Sequence, residues 1–363
     1  MTTVSEIYGS RKDDHVRLAV EQHHVRRAAQ EANQFDEVRF VHHALAGIAE
    51  SDVSLTTEVA GKRWAAPLYI NAMTGGSART GEVNRGLAIA AREAGVPIAS
   101  GSMSAYLADA AVAPTYRVLR EENPGGFVIA NVNANATPDM AKRAVDLIEA
   151  DALQIHINTI QEIVMPEGDR DFTAWPRQIS ALVEAIDVPV IVKEVGFGMT
   201  RPAVTRLADL GVTTVDVSGR GGTNFATIEN ARRPHEDFAY LGDWGQSAPA
   251  CLLDAAAVAH RRQVTLLASG GVRHPLDVVR ALALGAKAVG ASGHFLSVLE
   301  GEGVDALVST LIAWLTQIRQ LMVVLGAPTV GALAGTDVLL GGQLGEFCRL
   351  RGIDAGEYAR RAL

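Results

Sequence analysis

The chain has 363 residues, 48% of them hydrophobic, and a formal net charge of −8 at pH 7. This acidic balance is not that of a nucleic-acid-binding protein, so no nucleic-acid partner is expected. Two cysteines far apart in sequence, Cys251 and Cys348, form no metal-spacing motif and indicate a reducing compartment, which favours the cytoplasm. The N-terminus has no apolar signal segment, and no run of about 18 uncharged apolar residues occurs, so no membrane span is expected.

The first 66 residues are predicted to form an extension before the main fold. A charged helix is expected from Asp14 to about Ala32. A hairpin is expected from Arg39 to Trp64, where it could cover one end of the fold.

Eight short apolar runs then alternate with segments of helical apolar spacing. The runs cover residues 67–72, 96–101, 126–132, 152–158, 188–194, 213–219, 264–271 and 287–293. Short runs buried on both faces and joined by helices indicate a parallel sheet, and eight of them indicate an α/β fold of the closed (β/α)8 type, a TIM barrel. An open doubly wound sheet is the alternative, which is disfavoured because no GxGxxG motif follows the first run.

A long apolar helix from about residue 304 to residue 325, and then a tail, follow the last run. No Pro/Ser-rich linker interrupts the chain, so a single domain is predicted. Its parts are the extension (1–66), the barrel (67–300) and the C-terminal helix and tail (301–363).

The fourth run ends in an unusual series of polar side chains. Because side chains alternate along a strand, Gln154, His156 and Asn158 are expected to face the barrel interior near its C-terminal mouth. Gln161 and Glu162 follow in the next loop, and the carboxylate of Glu162 suits Mg²⁺. Barrel enzymes place their chemistry at this mouth. The alternative is a hydrogen-bonded polar core layer with a solvated loop.

Lys193 ends the fifth run, where burying a lysine is costly without an anionic partner. It is interpreted as a fixed cation facing an anionic ligand atom, with a Schiff-base lysine or a side chain extended to solvent as alternatives. Gly-rich loops follow the sixth, seventh and eighth runs and predict a phosphate cradle, although turn chemistry alone could explain them. The amide-bearing ends of the first three runs suit a flat heteroaromatic ring, so a flavin is favoured.

The N-terminal series Arg11-Lys12-Asp13-Asp14-His15 is a second candidate anion site. Arginine offers a bidentate fork to phosphate, and the lysine and histidine add positive charge. A solvated helix start is the alternative.

Motifs along nearly the whole chain together resemble those of type 2 isopentenyl-diphosphate delta-isomerases. They are RKDDH, NAMTGG, SGSMS, IHINTIQEIVMPEGDRDF, IVKEVGFG, DVSGRGGTNF, LASGGVRHP and TDVLLGGQL. The resemblance implies an FMN- and Mg²⁺-dependent enzyme that interconverts isopentenyl and dimethylallyl diphosphate, with NADPH or NADH reducing the flavin. It also implies a homo-oligomer, often a tetramer.

The resemblance further implies roles for particular residues. Glu162 would bind the metal. Our own candidates for catalysis are Gln161, His156 and Lys193, of which Lys193 would stabilise negative charge on the reduced flavin. The substrate would contact Arg11, Lys12, His15, Ser102, Met103, Ser104, Asn158 and Gln161. FMN would contact Met73, Thr74, Gly75, Ser102, Asn131, Lys193, Ser218, Thr223, Gly270, Gly271, Val272, Ala291 and Ser292.

The chemistry requires protonation of an unactivated alkene and removal of a proton two carbons away. A carboxylic acid with a pKa near ~4 is mostly ionised at neutral pH and is a poor donor. We hypothesise that reduced FMN is the principal acid and base, assisted by Gln161 or His156.

Two other functions remain open from the sequence. An FMN barrel dehydrogenase or oxidase of a small hydroxy acid would need a histidine base near the seventh strand, and His274 is expected at a helix start, where it is poorly placed. A non-enzymatic phosphate binder would leave Lys193 and the group of Asn158, Gln161 and Glu162 unexplained.

Overall fold

The computed structural model describes residues 4–29 and 31–362. Residues 1–3, at the start of the segment expected not to be a signal peptide, lie outside the described residues. So do residue 30, in the predicted first helix, and residue 363.

The strands and helices alternate through most of the chain. The strands are β1 (Val38–Phe40), β2 (Thr57–Val59), β3 (Lys62–Trp64), β4 (Leu68–Ile70), β5 (Ile98–Ala99), β6 (Val128–Asn133), β7 (Ala152–His156), β8 (Val190–Lys193), β9 (Thr214–Asp216), β10 (Thr265–Ser269), β11 (Ala288–Ala291) and β12 (Val338–Leu340). The helices are α1 (Val4–Ala28), α2 (Ala78–Ala94), α3 (Ser104–Ala108), α4 (Pro114–Glu122), α5 (Pro138–Leu147), α6 (Thr159–Val164), α7 (Trp175–Ala185), α8 (Arg201–Asp209), α9 (Phe225–Ala231), α10 (Ala248–Arg262), α11 (Pro275–Ala283), α12 (Gly293–Glu302), α13 (Val304–Val324), α14 (Gly342–Arg351) and α15 (Ala355–Ala359).

The eight strands β4 to β11 form a closed parallel barrel in sequence order. The barrel closes where β11 pairs with β4, with Ala291 opposite Ile70. The predicted TIM barrel is therefore confirmed, and the open-sheet alternative is wrong. Each of the eight apolar runs corresponds to one strand, although β6 continues one residue beyond its run. All eight strands end at the same mouth, which is where the polar ends of the runs meet.

The opposite end of the barrel is closed by the β2–β3 hairpin. The indole of Trp64 packs edge-on against Tyr69, with ring centroids 5.6 Å apart, inside a buried cluster that includes Ile129, Ile191 and Leu267. The hairpin turns at residues 60 and 61, whose φ angles of 52° and 68° match the twist of a tight hairpin. The predicted cover is thus present.

The predicted extent of that hairpin was wrong at its start. β1 does not join it but pairs antiparallel with β12 from the C-terminal tail, with Val38 opposite Leu340. The backbone hydrogen bonds of β1 are therefore satisfied by a segment about 300 residues away, which no local pattern could indicate.

The first long helix differs in extent from its prediction, whereas the second matches. α1 begins earlier than the predicted Asp14 and ends before Ala32, because Asn33 caps a separate 3-10 turn through a capping box with Asp36. α13 matches the predicted C-terminal helix, and by length and composition alone it could cross a membrane. Its buried stripe packs on α2, α11 and α12 and comprises Leu307, Leu311, Trp314, Ile318 and Met322. The single-domain assignment stays a prediction.

Candidate active site

A cavity of about 760 Å³ opens at the C-terminal mouth of the barrel. Strand ends of β4, β8, β9, β10 and β11 form its floor, and α1 forms one wall through Gln22, His23 and Arg26. Its volume is in the range of small-molecule and cofactor sites. The N-terminal extension is therefore part of the site.

Most of the residues predicted to contact FMN line this cavity. They are Met73, Lys193, Ser218, Thr223, Gly271, Val272, Ala291 and Ser292. The others lie next to it or beneath it. Gly75 packs under Tyr116, where an added Cβ would be 2.2 Å from the ring, and Gly270 packs against the carbonyl of Gly219. Asn131 is buried in the barrel interior, and Thr74 and Ser102 follow β4 and β5.

The loops after β9, β10 and β11 come close enough to form a cradle for a phosphate. A Cβ on Gly222 would lie 2.8 Å from the main-chain nitrogen of Gly271, and one on Gly293 would lie 3.1 Å from Thr223 Oγ1. α12 begins at Gly293 without a side-chain cap, so its first N–H groups are available to an anion. The buried hydroxyl of Thr74 also lacks a hydrogen-bond partner among the described residues. These features fit a phosphorylated cofactor such as FMN.

Lys193 is buried on the floor of the cavity, so the alternative of a side chain extended to solvent is excluded. Its Nζ donates to the carbonyl of Glu194 at 2.5 Å and to Ser218 Oγ at 3.3 Å. Burial lowers the pKa of Lys193, against the attraction of Asp216 and Glu194. An anionic ligand atom at this point would restore the preference for the cation.

Glu194 holds the loop that follows Lys193. Its Oε2 accepts main-chain N–H groups from residues 195 to 198, at 2.7, 2.7, 2.5 and 3.2 Å. Burial raises the pKa of Glu194 to about 7, and these hydrogen bonds limit the rise.

Below the cavity, a chain of buried amides connects two titratable residues. Asp216 accepts from Asn71 Nδ2 at 2.9 Å, and Gln154 Nε2 donates to Asn71 Oδ1 at 3.4 Å. Asn131 Nδ2 donates to Gln154 Oε1 at 2.7 Å, and His156 Nδ1 lies 2.8 Å from Asn131 Oδ1. Gln154 and His156 therefore face the barrel interior, as predicted from the alternation along β7.

His156 lies at the upper end of this chain and is 9% exposed. Burial lowers its pKa to about 3, and the nearby cations of Lys193 and Lys12 act in the same direction. The imidazole is thus neutral near neutral pH. One of its nitrogens carries a hydrogen and can donate a hydrogen bond, and the other can accept one.

The N-terminal cations gather beside the loop after β7. Lys12 and His15 are both 5% exposed, so the alternative of a solvated helix start is excluded for these two. His15 Nε2 donates to Glu229 Oε1 at 2.9 Å, and Arg11 lies 3.5 Å from Glu167. Burial and Arg11 lower the pKa of Lys12 to about 7, against the attraction of Glu229.

Asn158, Gln161 and Glu162 form a connected group at the start of α6. Asn158 Nδ2 donates to Gln161 Oε1 at 3.1 Å and to Glu162 Oε1 at 2.9 Å. Asn158 Oδ1 is buried without a hydrogen-bond partner in the described part of the chain. An oxygen in that state beside a carboxylate fits a hard cation, which prefers such ligands.

Within the same described residues, no group of three or more His, Cys, Asp or Glu side chains converges on a metal position. Glu162 would therefore be a lone carboxylate ligand. Mg²⁺ commonly binds through one or two carboxylates, waters and substrate phosphates.

The segment between β5 and α3 places the two serines and the methionine between them in different surroundings. Ser102 Oγ and Ser104 Oγ lie 3.0 Å apart and present two hydroxyls together. Met103 between them is fully buried in the core. Its side chain packs with the core cluster, and its main-chain N–H and carbonyl already bond to Asn131 and Leu107, so the predicted contact of Met103 with substrate stays a prediction.

Sequence reasoning missed Asp216 and Glu229. Asp216 lies in the sixth apolar run, where its position in the strand could have indicated a carboxylate facing the barrel interior. Glu229 lies on the ordinary-looking helix α9, without a local signal. There it accepts from Gln161 Nε2 at 2.9 Å and pairs with Arg232.

His274 immediately precedes α11, as expected, and it is one of the residues that line the cavity. Its Nε2 lies 3.8 Å from Asp277 on the helix side of the site.

Comparison with known proteins bears on which enzyme class uses this site. A protein of Nocardia farcinica (strain IFM 10152) named isopentenyl-diphosphate delta-isomerase is 60% identical over 97% of this chain and 96% of its own length. One of the same name from Streptomyces sp. (strain CL190) is 61% identical over 97% of this chain and 95% of its own length. The chain belongs to the isopentenyl-diphosphate delta-isomerase family. The family resemblance seen in the motifs is thereby confirmed.

Two further findings agree with an FMN barrel. A family model described as FMN-dependent dehydrogenase matches residues 14–160 and 131–339, so the wider family is FMN-dependent. A mandelate oxidase variant with a monooxide FMN adduct superimposes with a TM-score of 0.62 at 21% identity, over 90% of this chain and 92% of that chain. At that identity the likeness concerns the fold alone. It therefore does not favour the hydroxy-acid oxidase alternative.

Proposed function

We propose that the protein catalyses the redox-neutral interconversion of isopentenyl and dimethylallyl diphosphate, with reduced FMN and Mg²⁺. The observation that supports this most is a contact at the barrel mouth between the polar residues of α1 and those at the start of α6. Through Glu229, the α1 residue His15 is joined to Gln161, which belongs to the same group as Asn158 and Glu162. The part of α1 that carries Arg11, Lys12 and His15 is thus joined by hydrogen bonds to the group that holds a carboxylate and an unsatisfied amide oxygen, an arrangement suited to a metal-bound diphosphate.

The chain's own residues divide between binding and orientation. Arg11, Lys12 and His15 would hold the diphosphate, with the hydroxyls of Ser102 and Ser104. Asn158 and Glu162 would hold Mg²⁺, and Gln161 would orient the substrate. These assignments follow the family motifs and are supported by the contacts above.

The cofactor would lie across the cavity, with its phosphate in the glycine cradle. Lys193 would stand at the pyrimidine edge of the flavin and favour negative charge there. Bound and reduced, FMN would supply the acid and base for the proton transfers. His156 is neutral and would assist as an acceptor, and α1 would exclude water from the site. NADPH or NADH would be the reductant.

Assembly and location complete the proposal. The protein is proposed to form a homo-oligomer, a tetramer by family resemblance, in the cytoplasm. The outer face of α13, where Ile312 and Val324 are exposed, offers apolar surface for such contacts. Light scattering on the purified chain tests the assembly state.

The activity is tested by anaerobic incubation with FMN, NADPH, Mg²⁺ and isopentenyl diphosphate in D₂O, followed by proton NMR. Dimethylallyl diphosphate with incorporated deuterium is expected, with NADPH consumed only in proportion to the flavin. Absence of conversion, with flavin bound and reduced, would contradict the proposal. Net oxidation of a hydroxy acid would favour the dehydrogenase alternative.

A further inference from the structure

Asp216 is a fully buried acceptor at the centre of the barrel. Its carboxylate receives hydrogen bonds from Tyr69 Oη at 2.7 Å, Ser269 Oγ at 2.9 Å and the main-chain nitrogen of Ser218 at 3.0 Å. The fourth donor is Asn71 Nδ2 at 2.9 Å. A carboxylate surrounded by donors on every side has a fixed role as an acceptor, and it therefore imposes an orientation on its neighbours.

The orientation of Asn71 is fixed from two directions. Its Nδ2 faces the Asp216 carboxylate, and its Oδ1 accepts the main-chain N–H of Ala72 at 2.8 Å. A flipped amide would place a donor against a donor at Ala72 and an acceptor against an acceptor at Asp216. Both mismatched contacts would be buried, so rotating the amide by 180° would cost free energy.

The same logic continues along the chain. Asn71 Oδ1 requires Gln154 to present Nε2, so Gln154 Oε1 points to Asn131 and requires its Nδ2. Asn131 Oδ1 is then left to face His156 Nδ1, 2.8 Å away. An amide oxygen cannot donate, so the proton of this contact belongs to the imidazole.

We propose that Asp216 is a positioning residue that acts on His156 through Asn71, Gln154 and Asn131. It holds the imidazole in the Nδ1–H tautomer and leaves Nε2 as a hydrogen-bond acceptor at the barrel mouth. The role of Nε2 toward a bound ligand rests on the proposed function, whereas the tautomer does not.

Three cations, Lys193, Lys12 and Arg11, act on His156 and favour a ring nitrogen whose lone pair remains free. The carbonyl of Val132 also interacts with the ring and favours an N–H. If the Val132 carbonyl accepted a hydrogen bond from Nε2–H, His156 would be in the opposite tautomer, with Nδ1 unprotonated. The protonation of the two ring nitrogens therefore distinguishes the two arrangements.

Nitrogen NMR of the full chain, with ¹⁵N-labelled histidine and with or without FMN, tests the proposal. The His156→Gln variant identifies the resonances of His156. In the unchanged protein we expect a protonated Nδ1 and an unprotonated Nε2. Asp216→Asn replaces a carboxylate that only accepts with an amide that can also donate. Gln154→Met interrupts the series of hydrogen-bonded amides while leaving Asp216 in place. Either change should convert the single tautomer into a mixture or its opposite.

Asp254→Asn is the matched control. Asp254 is equally buried and is paired with Arg201 and Arg351, away from the amides that connect Asp216 to His156. Asp254→Asn should lower the free energy of unfolding without changing the His156 signals. A protonated Nε2 in the unchanged protein would overturn the proposal. So would an unaltered tautomer in Gln154→Met, a result that remains informative if Asp216→Asn fails to fold. A protein with the expected tautomer but no isomerase activity would contradict only the proposed function.

Discussion

His15 and Glu229, 214 positions apart in sequence, meet in a buried hydrogen bond of 2.9 Å. The bond joins α1 of the N-terminal extension to α9 above β9. Burial opposes ionisation of Glu229, yet hydrogen bonds from His15, Gln161 and Arg232 hold its pKa at about 2. One carboxylate thus fixes residues from both proposed substrate-binding groups.

Replacing Glu229 with Gln should therefore impair turnover without removing the flavin. Loss of a charge-assisted hydrogen bond is worth about 1.5–3 kcal/mol, so kcat/KM for isopentenyl diphosphate should fall at least about tenfold. The measurement is steady-state kinetics together with the visible FMN spectrum. Glu300→Gln is the control, because Glu300 pairs with Arg79 outside the cavity. An unchanged kcat/KM would show that Glu229 does not organise the site.

Glu162→Gln should separate the metal from the flavin. The amide keeps the shape of the side chain but weakens a Mg²⁺ ligand, so the Mg²⁺ concentration giving half-maximal activity should rise by about tenfold or more. Bound FMN should be retained. Glu184→Gln is the control, because Glu184 is an exposed residue of α7, and this change should leave the Mg²⁺ requirement unaltered. Loss of FMN from Glu162→Gln would mean that the metal site is misplaced.

The cation of Lys12 should control the pH dependence of substrate binding. Its pKa in the free protein is lowered to about 7, so the cation is present below that pH and lost above it. The profile of kcat/KM should accordingly fall as pH rises through about 7. Lys12→Arg should move that fall to higher pH, because arginine stays charged. A fall at the same pH in this variant would assign it to another group.

The lowered pKa of Lys12 should also make the free energy of unfolding depend on pH. A base whose pKa is lowered on folding binds fewer protons in the folded than in the unfolded state between about pH 7 and its ordinary value of 10.5. Stability is therefore expected to rise with pH in that window. Urea unfolding of Lys12→Met across this range should show a shallower rise than the unchanged chain.

Trp64→Ala should destabilise the fold by about 3–5 kcal/mol, the usual cost of removing a large buried aromatic side chain. The indole closes the end of the barrel away from the cavity, so thermal unfolding should shift while FMN affinity changes little. Trp244→Ala is the matched control, because that indole is 57% exposed. Equal effects of the two changes would show that the hairpin does not close the core.

Much of the barrel was predictable because each strand is a short apolar run with its own turn and helix. The interior direction of Gln154 and His156 followed from alternation alone. The partner of β1 did not, since antiparallel pairing with β12 depends on where the two chain ends meet. The role of Glu229 could not be predicted either. Its partners come from α1 and α6, and no pattern within α9 indicates those contacts.

The β1–β12 pair gives the C-terminal tail an influence over the cofactor site. The carbonyl of Glu37, just before β1, accepts from the main chain of Gly341, and its carboxylate accepts from Leu344 at the start of α14. The segment held in this way includes Asn33, whose Nδ2 donates to the carbonyl of Gly271 in the cradle at 2.7 Å. Shortening the chain from its C-terminal end would thus loosen the contact between Asn33 and the cradle. A fusion partner should therefore be added after the tail and should not replace it.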